Sequence, residues 1–269
     1  MDTQRIEEGR EWQTGVWNRI SDVYQREIDQ RFVPVVDALI ARAGLTSGLN
    51  VLDLGTGTGA VAERAAEIVG PSGTVVGVDL SPEMLALARG RTSGLGLDNV
   101  SFSEGQAEAV PAEDGSFDVV LSSLVMMYVI DRAAAAREIA RVLRPGGRFV
   151  AAVWAGPERC DIVAFQQIAG RFAGPPPVPG VGPGALADPA PFLADLDAAG
   201  MDARVETEAL TFDFPDFDSA WTALAGVTTA HLPLERQQEA KDAVIAAMFP
   251  DTDAPRTFHN LTQFILAER

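Results

Sequence analysis

The stretch VLDLGTGTG, residues 51–59, decides the fold of this chain. Its first half is a short apolar run with one acid, as in a buried strand, and its second half is a Gly-x-Gly-x-Gly turn. A helical segment is predicted directly after it, at 60–69. Glycines allow a sharp turn and let the backbone approach a ligand without a Cβ atom in between. A strand, a glycine-rich turn and a helix in this order predict a ligand site at the carboxyl end of the first strand of an α/β sheet.

Strands and helices alternate along the chain after this turn. With residues 50–54 as the first strand, further strands are predicted at 74–79, 100–104, 117–122, 148–154, 203–214 and 257–266. Helices are predicted at 82–91, with Ser81 as the N-cap, at 132–143 and at 189–199. This alternation is typical of βαβ units and of a parallel sheet that helices cover on both faces.

The segments on either side of this alternation are predicted to be helical or irregular. Residues 11–43 read as helical, with a break at Pro34. The run PPPVPGVGPG, 175–184, cannot be regular structure and reads as a lid loop, and two helices broken near 231–233 are predicted after Pro215. We therefore expect a single domain, 1–269. It would consist of an amino-terminal helical cap (1–45), a core (46–154) and a carboxyl-terminal part (155–269) with the lid loop and a helical insert at about 215–255.

The composition limits the partners of this protein. The chain has 269 residues, 47% of them hydrophobic, and a formal net charge of −17. Such a charge disfavours nucleic acid and anionic membrane surfaces, and no apolar run is long enough to predict a membrane span. The single cysteine, Cys160, excludes an intrachain disulfide. We expect a cytoplasmic protein with a small-molecule substrate, and the sequence leaves its oligomeric state open, with a dimer as one option.

Two acids indicate which ligand the glycine turn binds. Asp53 lies two residues before the first glycine, where a carboxylate would repel a pyrophosphate but would suit a ligand that carries an ammonium and a sulfonium. Asp79 ends the second strand, where an acid can accept hydrogen bonds from both hydroxyls of a ribose. The turn has neither the Gly-Lys-Ser/Thr of a P-loop nor the Gly-x-Gly-x-x-Gly spacing of nicotinamide enzymes. A nicotinamide-dependent dehydrogenase therefore agrees less well with this turn than a protein whose ligand carries an ammonium and a sulfonium.

Four motifs carry a resemblance to a known family. VLDLGTGTG, GVDLSPEMLALAR, FDVVLSS and RVLRPGG resemble, in order and spacing, the motifs of class I S-adenosylmethionine (SAM)-dependent methyltransferases. The match is best with the ubiquinone/menaquinone-biosynthesis (methyltransferase type 11) kind and covers about 51–153. The resemblance implies a Rossmann-like, doubly wound α/β sheet of seven strands, the last one antiparallel, with a helical cap. It also implies SAM as the cofactor and transfer of a methyl group to a small secondary-metabolite or quinone-like acceptor.

The resemblance also implies which residues hold the cofactor. These are Asp53, Gly55, Gly57 and Gly59 around the methionine part, Asp79, Ser81 and Met84 at the nucleoside, Gln106 and Ala107 at adenine, and Ser122 behind the sulfonium. Gln106 stands where the family often has Asp, which puts that adenine contact in doubt. Tyr24, in a segment that also resembles the family, would cap the cofactor, although it and Trp17 could equally be core aromatics.

Other residues are predicted to face the acceptor. Met126, Met127, Tyr128 and Trp154 follow the fourth and fifth strands and would line an apolar substrate pocket, with core packing as the alternative. His231 is the candidate general base and His259 a weaker one, since their unperturbed pKa values lie near neutrality. No metal site is predicted.

Two other functions stay open on the sequence alone. A methyltransferase-fold biosynthetic enzyme, such as a cyclase, could keep SAM as a structural ligand without methyl transfer. A non-catalytic SAM-binding module is the second, although residues predicted to roof a substrate chamber argue against it.

Overall fold

The computed structural model describes residues 3–269, which form a seven-stranded mixed sheet flanked by helices. The strands are β1 Asn50–Leu54, β2 Thr74–Asp79, β3 Val100–Glu104, β4 Phe117–Ser123, β5 Leu143–Trp154, β6 Asp202–Phe214 and β7 Arg256–Glu268. Their order in the sheet is β3-β2-β1-β4-β5-β7-β6. The last strand, β7, runs antiparallel to both of its neighbours, whereas the pairs among β1 to β5 are parallel. The predicted fold class is confirmed.

Ten α-helices connect and cover these strands within the described part of the chain. They are α1 Thr3–Val23, α2 Val33–Ala43, α3 Ala60–Val69, α4 Pro82–Gly94, α5 Arg132–Val142, α6 Asp161–Gly170, α7 Ala190–Ala198, α8 Phe217–Leu224, α9 Gly226–Thr229 and α10 Leu234–Met248. A π-helical turn, Tyr24–Ile28, follows α1, and Met126–Tyr128 is a 3₁₀ turn. The Ser81 hydroxyl accepts the backbone N–H of Met84, which confirms the predicted N-cap of α4.

The strand order places a crevice at one edge of the sheet. The chain moves outward from β1 through β2 to β3, then returns to the other side of β1 to form β4 and β5. Because such crossovers are right-handed, the helices of the two halves cover opposite faces, and the connections diverge between β1 and β4. Ligands bind at the carboxyl ends of the strands at this point.

The central strands are covered on both faces. Residues 117–122 of β4 are all buried, as are 149–154 of β5. Parallel strands buried on both sides read as continuous apolar runs, which is why the sequence identified them. Burial of a large side chain such as Phe149 or Phe264 contributes about 2–3 kcal/mol to the stability of this layer.

The structure differs from the sequence-based expectations mainly at the amino terminus. Helix α1 begins at Thr3 instead of near residue 11, and the helical region is interrupted by the π-helical turn as well as before Pro34. The charged residues at 5–11 carry little apolar signal, because this end of α1 is mostly solvent-exposed. Pro34 lies in the first turn of α2, where its missing N–H costs nothing.

The carboxyl-terminal part holds more helix than expected. Helix α6 lies in the segment 155–187, where the sequence predicts no helix and indicates only a change in composition before a loop. The insert contains three helices, α8, α9 and α10, where two were predicted, although the break at 231–233 is confirmed. Strand β5 begins at Leu143, so that the Pro-Gly-Gly turn lies within an irregular part of the strand. The subdivision into cap, core and carboxyl-terminal part stays a prediction.

No helix between residues 3 and 269 is long and apolar enough to cross a membrane.

Candidate functional site

A cavity of about 820 Å³, open to solvent, lies at the carboxyl ends of β1 to β4. We call it the edge cavity. Residues at or directly after the carboxyl ends of these four strands line it, among them Gly55, Leu80, Gly105 and Ser123. The edge cavity thus occupies the crevice that the strand order creates.

The glycine turn leaves room for a ligand in this cavity. Gly55 and Gly57 both have positive φ angles, of 74° and 53°, which L residues with a side chain rarely adopt. A Cβ atom at Gly55 would collide with Val125, whereas one at Gly57 would meet no heavy atom within 4 Å because it would project into open space. Gly57 therefore keeps the cavity free, and Gly55 allows the turn to pack tightly.

The carboxylate of Asp79 faces the edge cavity next to this turn. Its Oδ2 accepts the N–H of Gly57 at 2.8 Å and its Oδ1 accepts the N–H of Ser81 at 2.9 Å. Burial raises the pKa of Asp79, while the backbone N–H groups of Ser81, Gly57 and Leu80 oppose the rise. Each oxygen can accept more than one hydrogen bond, so this carboxylate can also receive two neighbouring hydroxyl groups of a ligand.

Asp53 lies behind the turn and does not line the edge cavity. It is 1% exposed, and its Oδ2 accepts the Thr56 hydroxyl at 2.6 Å. Burial raises the pKa of Asp53 to about 7, with a smaller contribution from the charge of Asp79. Its position indicates that it supports the turn from inside, which differs from the direct ligand contact that the sequence suggested.

The other predicted cofactor residues divide into two groups. Tyr24, Met84, Gln106 and Ala107 line the edge cavity, together with Gly55, Gly57 and Asp79. The structure does not bring Gly59, Ser81 and Ser122 to its wall. Gly59 is the N-cap of α3, and Ser81 is the N-cap of α4. The Ser122 hydroxyl donates a hydrogen bond to the carbonyl of Leu54 at 3.0 Å. Because side chains alternate along a strand, the next residue, Ser123, lines the cavity instead.

Helix α1 roofs the edge cavity and is fastened to the core by side-chain hydrogen bonds. Gln13 donates to the carbonyl of Tyr128 at 2.7 Å, and the Ser81 hydroxyl donates to the Asn18 side chain at 2.6 Å. Between these ties, Trp17 lies edge-on to Tyr24 and to Tyr128, with ring centroids 6.2 and 5.1 Å away. The hydrogen bonds of α1 and these ring contacts therefore fix the positions of the three aromatic side chains at the cavity.

A second cavity, of about 500 Å³, adjoins the first, and we call it the apolar cavity. The two cavities share four lining residues, which are Trp17, Tyr24, Leu124 and Tyr128. No Asp, Glu, Lys, Arg or His side chain lines the apolar cavity. Met127, Tyr128 and Trp154 line it as the sequence predicted, whereas Met126 is completely buried in the core and does not. A ligand in the apolar cavity would lie directly beside one in the edge cavity.

The candidate bases do not reach either cavity. His231 is exposed, with its ring edge-on to Trp12 at 6.1 Å, and partial burial and the charge of Arg19 lower its pKa. His259 is exposed on β7. The position of His231 in the insert predicts that it faces the substrate, but its ring packs against Trp12 of α1 and it lines neither cavity. Burial raises the pKa of Tyr24 and Tyr128, so neither phenol is suited to act as a base at neutral pH.

Leu124 is a site residue that the sequence did not reveal. It is the one non-glycine residue among 3–269 with a positive φ angle, 61°, and its N–H donates to the carbonyl of Ala152 at 2.8 Å. Such a conformation costs about 1–3 kcal/mol and is found preferentially at functional sites. Here it places the leucine side chain in the wall between the two cavities. Arg10, Gln13 and Glu108 were also missed, because charged and amide residues on a helix or loop resemble any solvated surface.

The fold, the glycine turn and the two adjoining cavities define an α/β protein with a ligand site at the carboxyl ends of its strands and with room for a second ligand beside it. Residues 45–160 match a family model described as a methyltransferase domain. This part of the chain is thus similar to a methyltransferase domain.

Similar proteins agree with this assignment. The chain is 40% identical over 136 residues to a ubiquinone/menaquinone biosynthesis C-methyltransferase of Hahella chejuensis, which covers 48% of this chain and 55% of that protein. It is 40% identical over 135 residues to the nocamycin O-methyltransferase of Saccharothrix syringae, covering 49% of this chain and 48% of the relative. The chain thus spans about half the length of the curated relatives it matches.

A solved structure shows the same fold. A putative methyltransferase from Bacillus halodurans superposes with a TM-score of 0.64 at 23% identity, covering 87% of this chain and 97% of that one.

Proposed function

We propose that the chain binds SAM in the edge cavity and transfers its methyl group to an uncharged small molecule in the apolar cavity. The observation that carries this proposal is the common wall of the two cavities, formed by Trp17, Tyr24, Leu124 and Tyr128. Methyl transfer needs a donor and an acceptor in line and without intervening water, and two adjoining chambers satisfy that requirement.

The nucleoside part of SAM fits the deep side of the edge cavity. Asp79 accepts the two ribose hydroxyls in this proposal, with its remaining lone pairs, while the N–H groups of Gly57 and Ser81 hold the carboxylate in place. Adenine lies between Met84 and the loop of Gln106 and Ala107, all three of which line the cavity. The open space beside Gly57 accommodates the ligand where any side chain would obstruct it.

The amino-acid part of SAM fits a smaller cavity of about 430 Å³ that shares Tyr24, Gly55, Gly57 and Ser123 with the edge cavity. Asp29 lines this extension and accepts the Thr58 hydroxyl at 2.7 Å. Arg91 pairs with the same carboxylate. In this arrangement Asp29 ties the π-helical turn to the glycine turn and offers a carboxylate towards the ammonium group of the cofactor.

The acceptor side of the proposal rests on the chemistry of the apolar cavity. Bound SAM would supply a methyl group on a positively charged sulfur, which an electron pair of the acceptor can take as the carbon–sulfur bond breaks and S-adenosylhomocysteine leaves. The lining side chains position the acceptor and exclude water, and none of them is a strong base. An acceptor that is nucleophilic without a protein base, such as an activated carbon, an amine or an acidic phenol or enol, fits this chamber.

The first test of the proposal is calorimetric titration of the purified chain with SAM, S-adenosylhomocysteine and NAD. We expect binding of the first two at micromolar or lower concentration and none of NAD. Lack of binding by both SAM and S-adenosylhomocysteine would overturn the proposal.

A second experiment separates methyl transfer from a structural use of SAM. The chain is incubated with SAM labelled in the methyl group and with small-molecule extract, and label is traced by mass spectrometry. We expect label in an uncharged, apolar product. Tight cofactor binding without a labelled product would favour the alternative of an auxiliary biosynthetic enzyme.

A further inference from the structure

Gln166 is the one amide side chain in the wall of the apolar cavity. It lies on α6, is 6% exposed, and donates from Nε2 to the carbonyl of Leu224 at 3.2 Å. Its other end, the carbonyl oxygen Oε1, is buried and has no hydrogen-bond partner in the structure. A buried acceptor without a partner, beside a cavity that no charged side chain lines, requires an explanation.

The orientation of this amide follows from its neighbour. The carbonyl of Leu224 can only accept a hydrogen bond, so the NH₂ end of Gln166 must face it, and the opposite orientation would set two acceptors against each other. Oε1 is therefore the free end. An unsatisfied buried acceptor costs about 1–3 kcal/mol, and a ligand that donates to it would recover this energy.

The position of Gln166 in the cavity indicates which part of a ligand it meets. Gln166 lines only the apolar cavity, whereas Trp17, Tyr24 and Leu124 line both cavities. A contact at Gln166 therefore lies away from the common wall, and it serves orientation of the acceptor and not proton transfer to or from the reacting atom.

We propose that Gln166 determines the specificity of the acceptor site by accepting a hydrogen bond from an O–H or N–H group of the acceptor. Since the rest of the wall carries no charged side chain, the substrate class is an uncharged, largely apolar molecule with at least one donor group. This inference rests on the proposed function, because it takes the apolar cavity as the acceptor site. Gln166 is a positioning residue in this scheme.

The test compares two probes of nearly equal shape, 2-naphthol and 2-methylnaphthalene, by ligand-observed NMR titration of the chain saturated with S-adenosylhomocysteine. A wall without a free acceptor would bind the methyl compound more tightly, because the hydroxyl loses its hydrogen bonds to water. We expect the wild-type chain to bind 2-naphthol about tenfold more tightly than 2-methylnaphthalene. Equal affinities, a preference for the methyl compound, or no binding of either probe would overturn the inference.

The variant Gln166→Leu should reverse this preference. Its matched control is Gln237→Leu, because Gln237 donates in the same way to the carbonyl of Leu232 at 2.8 Å but does not line the cavity. The control should keep the tenfold preference, and both variants should bind S-adenosylhomocysteine as the wild type does. A preference for 2-naphthol that survives in Gln166→Leu would contradict the role of Gln166.

The wild-type comparison can still overturn the inference even if Gln166→Leu, which leaves the Leu224 carbonyl without its donor, folds poorly. If S-adenosylhomocysteine itself does not bind, the proposed function fails. If it binds and the probes are not distinguished, only the role of Gln166 fails.

Discussion

The two cavities of this protein are built from different parts of the chain. All residues that line the edge cavity, except Arg10, Gln13, Trp17 and Tyr24, lie within the segment 45–160 that matches the methyltransferase domain. The apolar cavity shows the reverse, since only Leu124, Met127, Tyr128 and Trp154 of its lining residues come from that segment. The remainder are supplied by α1, the π-helical turn after it, Phe32 before α2, and the carboxyl-terminal helices.

This difference teaches how one fold serves many acceptors. The edge cavity is made from backbone N–H groups, glycines and a buried carboxylate, which sequence motifs fix residue by residue. The apolar cavity needs only side chains of suitable size, which many sequences can supply. In the proposed function, the segment 45–160 therefore supplies most of the cofactor contacts, and the segments outside it supply most of the acceptor contacts.

The two cavities differ in charge, because no charged side chain lines the apolar cavity, whereas the buried carboxyl group of Asp53 supports the turn at the edge cavity. The largest effect that we expect is the contribution of this carboxyl group to the pH dependence of folding stability. Asp53 has a pKa of about 7, above its ordinary value near 4, because burial disfavours its charged form. A carboxyl with a raised pKa holds its proton longer in the folded state, so folding stability is greatest at low pH and falls as pH rises from about 4 to about 7. The full difference corresponds to about 4 kcal/mol.

Chemical denaturation of the wild type and of Asp53→Asn, at pH 4 to 8, measures this contribution. The stability of the wild type relative to the variant should fall by about 4 kcal/mol over this range. Asp216→Asn is the control, because the N–H of Ser219 lowers the pKa of Asp216 and no such fall is expected. Parallel pH profiles for the wild type and Asp53→Asn would show that Asp53 is not perturbed.

Filling the edge cavity should break cofactor binding selectively. Gly57→Val adds a side chain to the open space of that cavity, and its unfavourable φ angle adds about 1–3 kcal/mol of strain. We expect the affinity for S-adenosylhomocysteine to fall by about 100-fold or more. Gly146→Val is a matched control, since Gly146 also has a positive φ, 77°, and open space around its missing Cβ, but lies in the exposed turn of β5. Calorimetry that found equal losses in both variants would attribute the effect to strain alone.

The same contrast explains what the sequence could predict. Backbone-dependent features, such as the glycine turn, the Ser81 cap and the strands of the core, are confirmed within a few residues because they require particular residue types. Helix α6 was missed because buried residues on several sides leave no clear amphipathic stripe beside the Pro/Gly run. Its residue Gln166 could not be singled out, since an isolated glutamine carries no pattern.

Two site assignments show the limit at finer scale. Motif position suggests Ser122, but the side-chain alternation of β4 makes its neighbour Ser123 the residue that lines the cavity, since a shift of one residue exchanges the two faces. His231 was chosen for its chemistry, whereas its place depends on how the insert folds against α1. Long-range packing of this kind leaves no local signal in the sequence.

Replacing the carboxylate of Asp79 should lower the affinity for the cofactor less than filling the edge cavity does in Gly57→Val. Asp79→Asn keeps the size of the side chain but loses charge and one acceptor, so that the N–H of Gly57 or of Ser81 faces an NH₂ group. Hydrogen bonds to a charged group are worth about 1.5–3 kcal/mol, which predicts a 10- to 100-fold loss of affinity for S-adenosylhomocysteine. Calorimetry measures this loss of affinity in Asp79→Asn. The control is Asp216→Asn, which removes the charge from a helix cap away from the cavities. Unchanged affinity in Asp79→Asn would remove Asp79 from the proposed ribose contact.

The smallest expected effect concerns the acceptor side alone and tests whether the two cavities are independent. Val227 on α9 lines the apolar cavity and not the edge cavity, and its neighbour Thr228 lines neither. Val227→Trp should occupy part of the apolar cavity and weaken 2-naphthol by about tenfold, because a filled chamber cannot accept the probe without displacing packed side chains. Thr228→Trp should leave the probe affinity unchanged, and both variants should bind S-adenosylhomocysteine within about twofold of the wild type, since the cofactor contacts lie in the other cavity. If Val227→Trp lowered the affinity for S-adenosylhomocysteine as much as that for 2-naphthol, the two cavities would have to be treated as one coupled site. The matched segment 45–160 and the helices outside it would then not serve separate ligands.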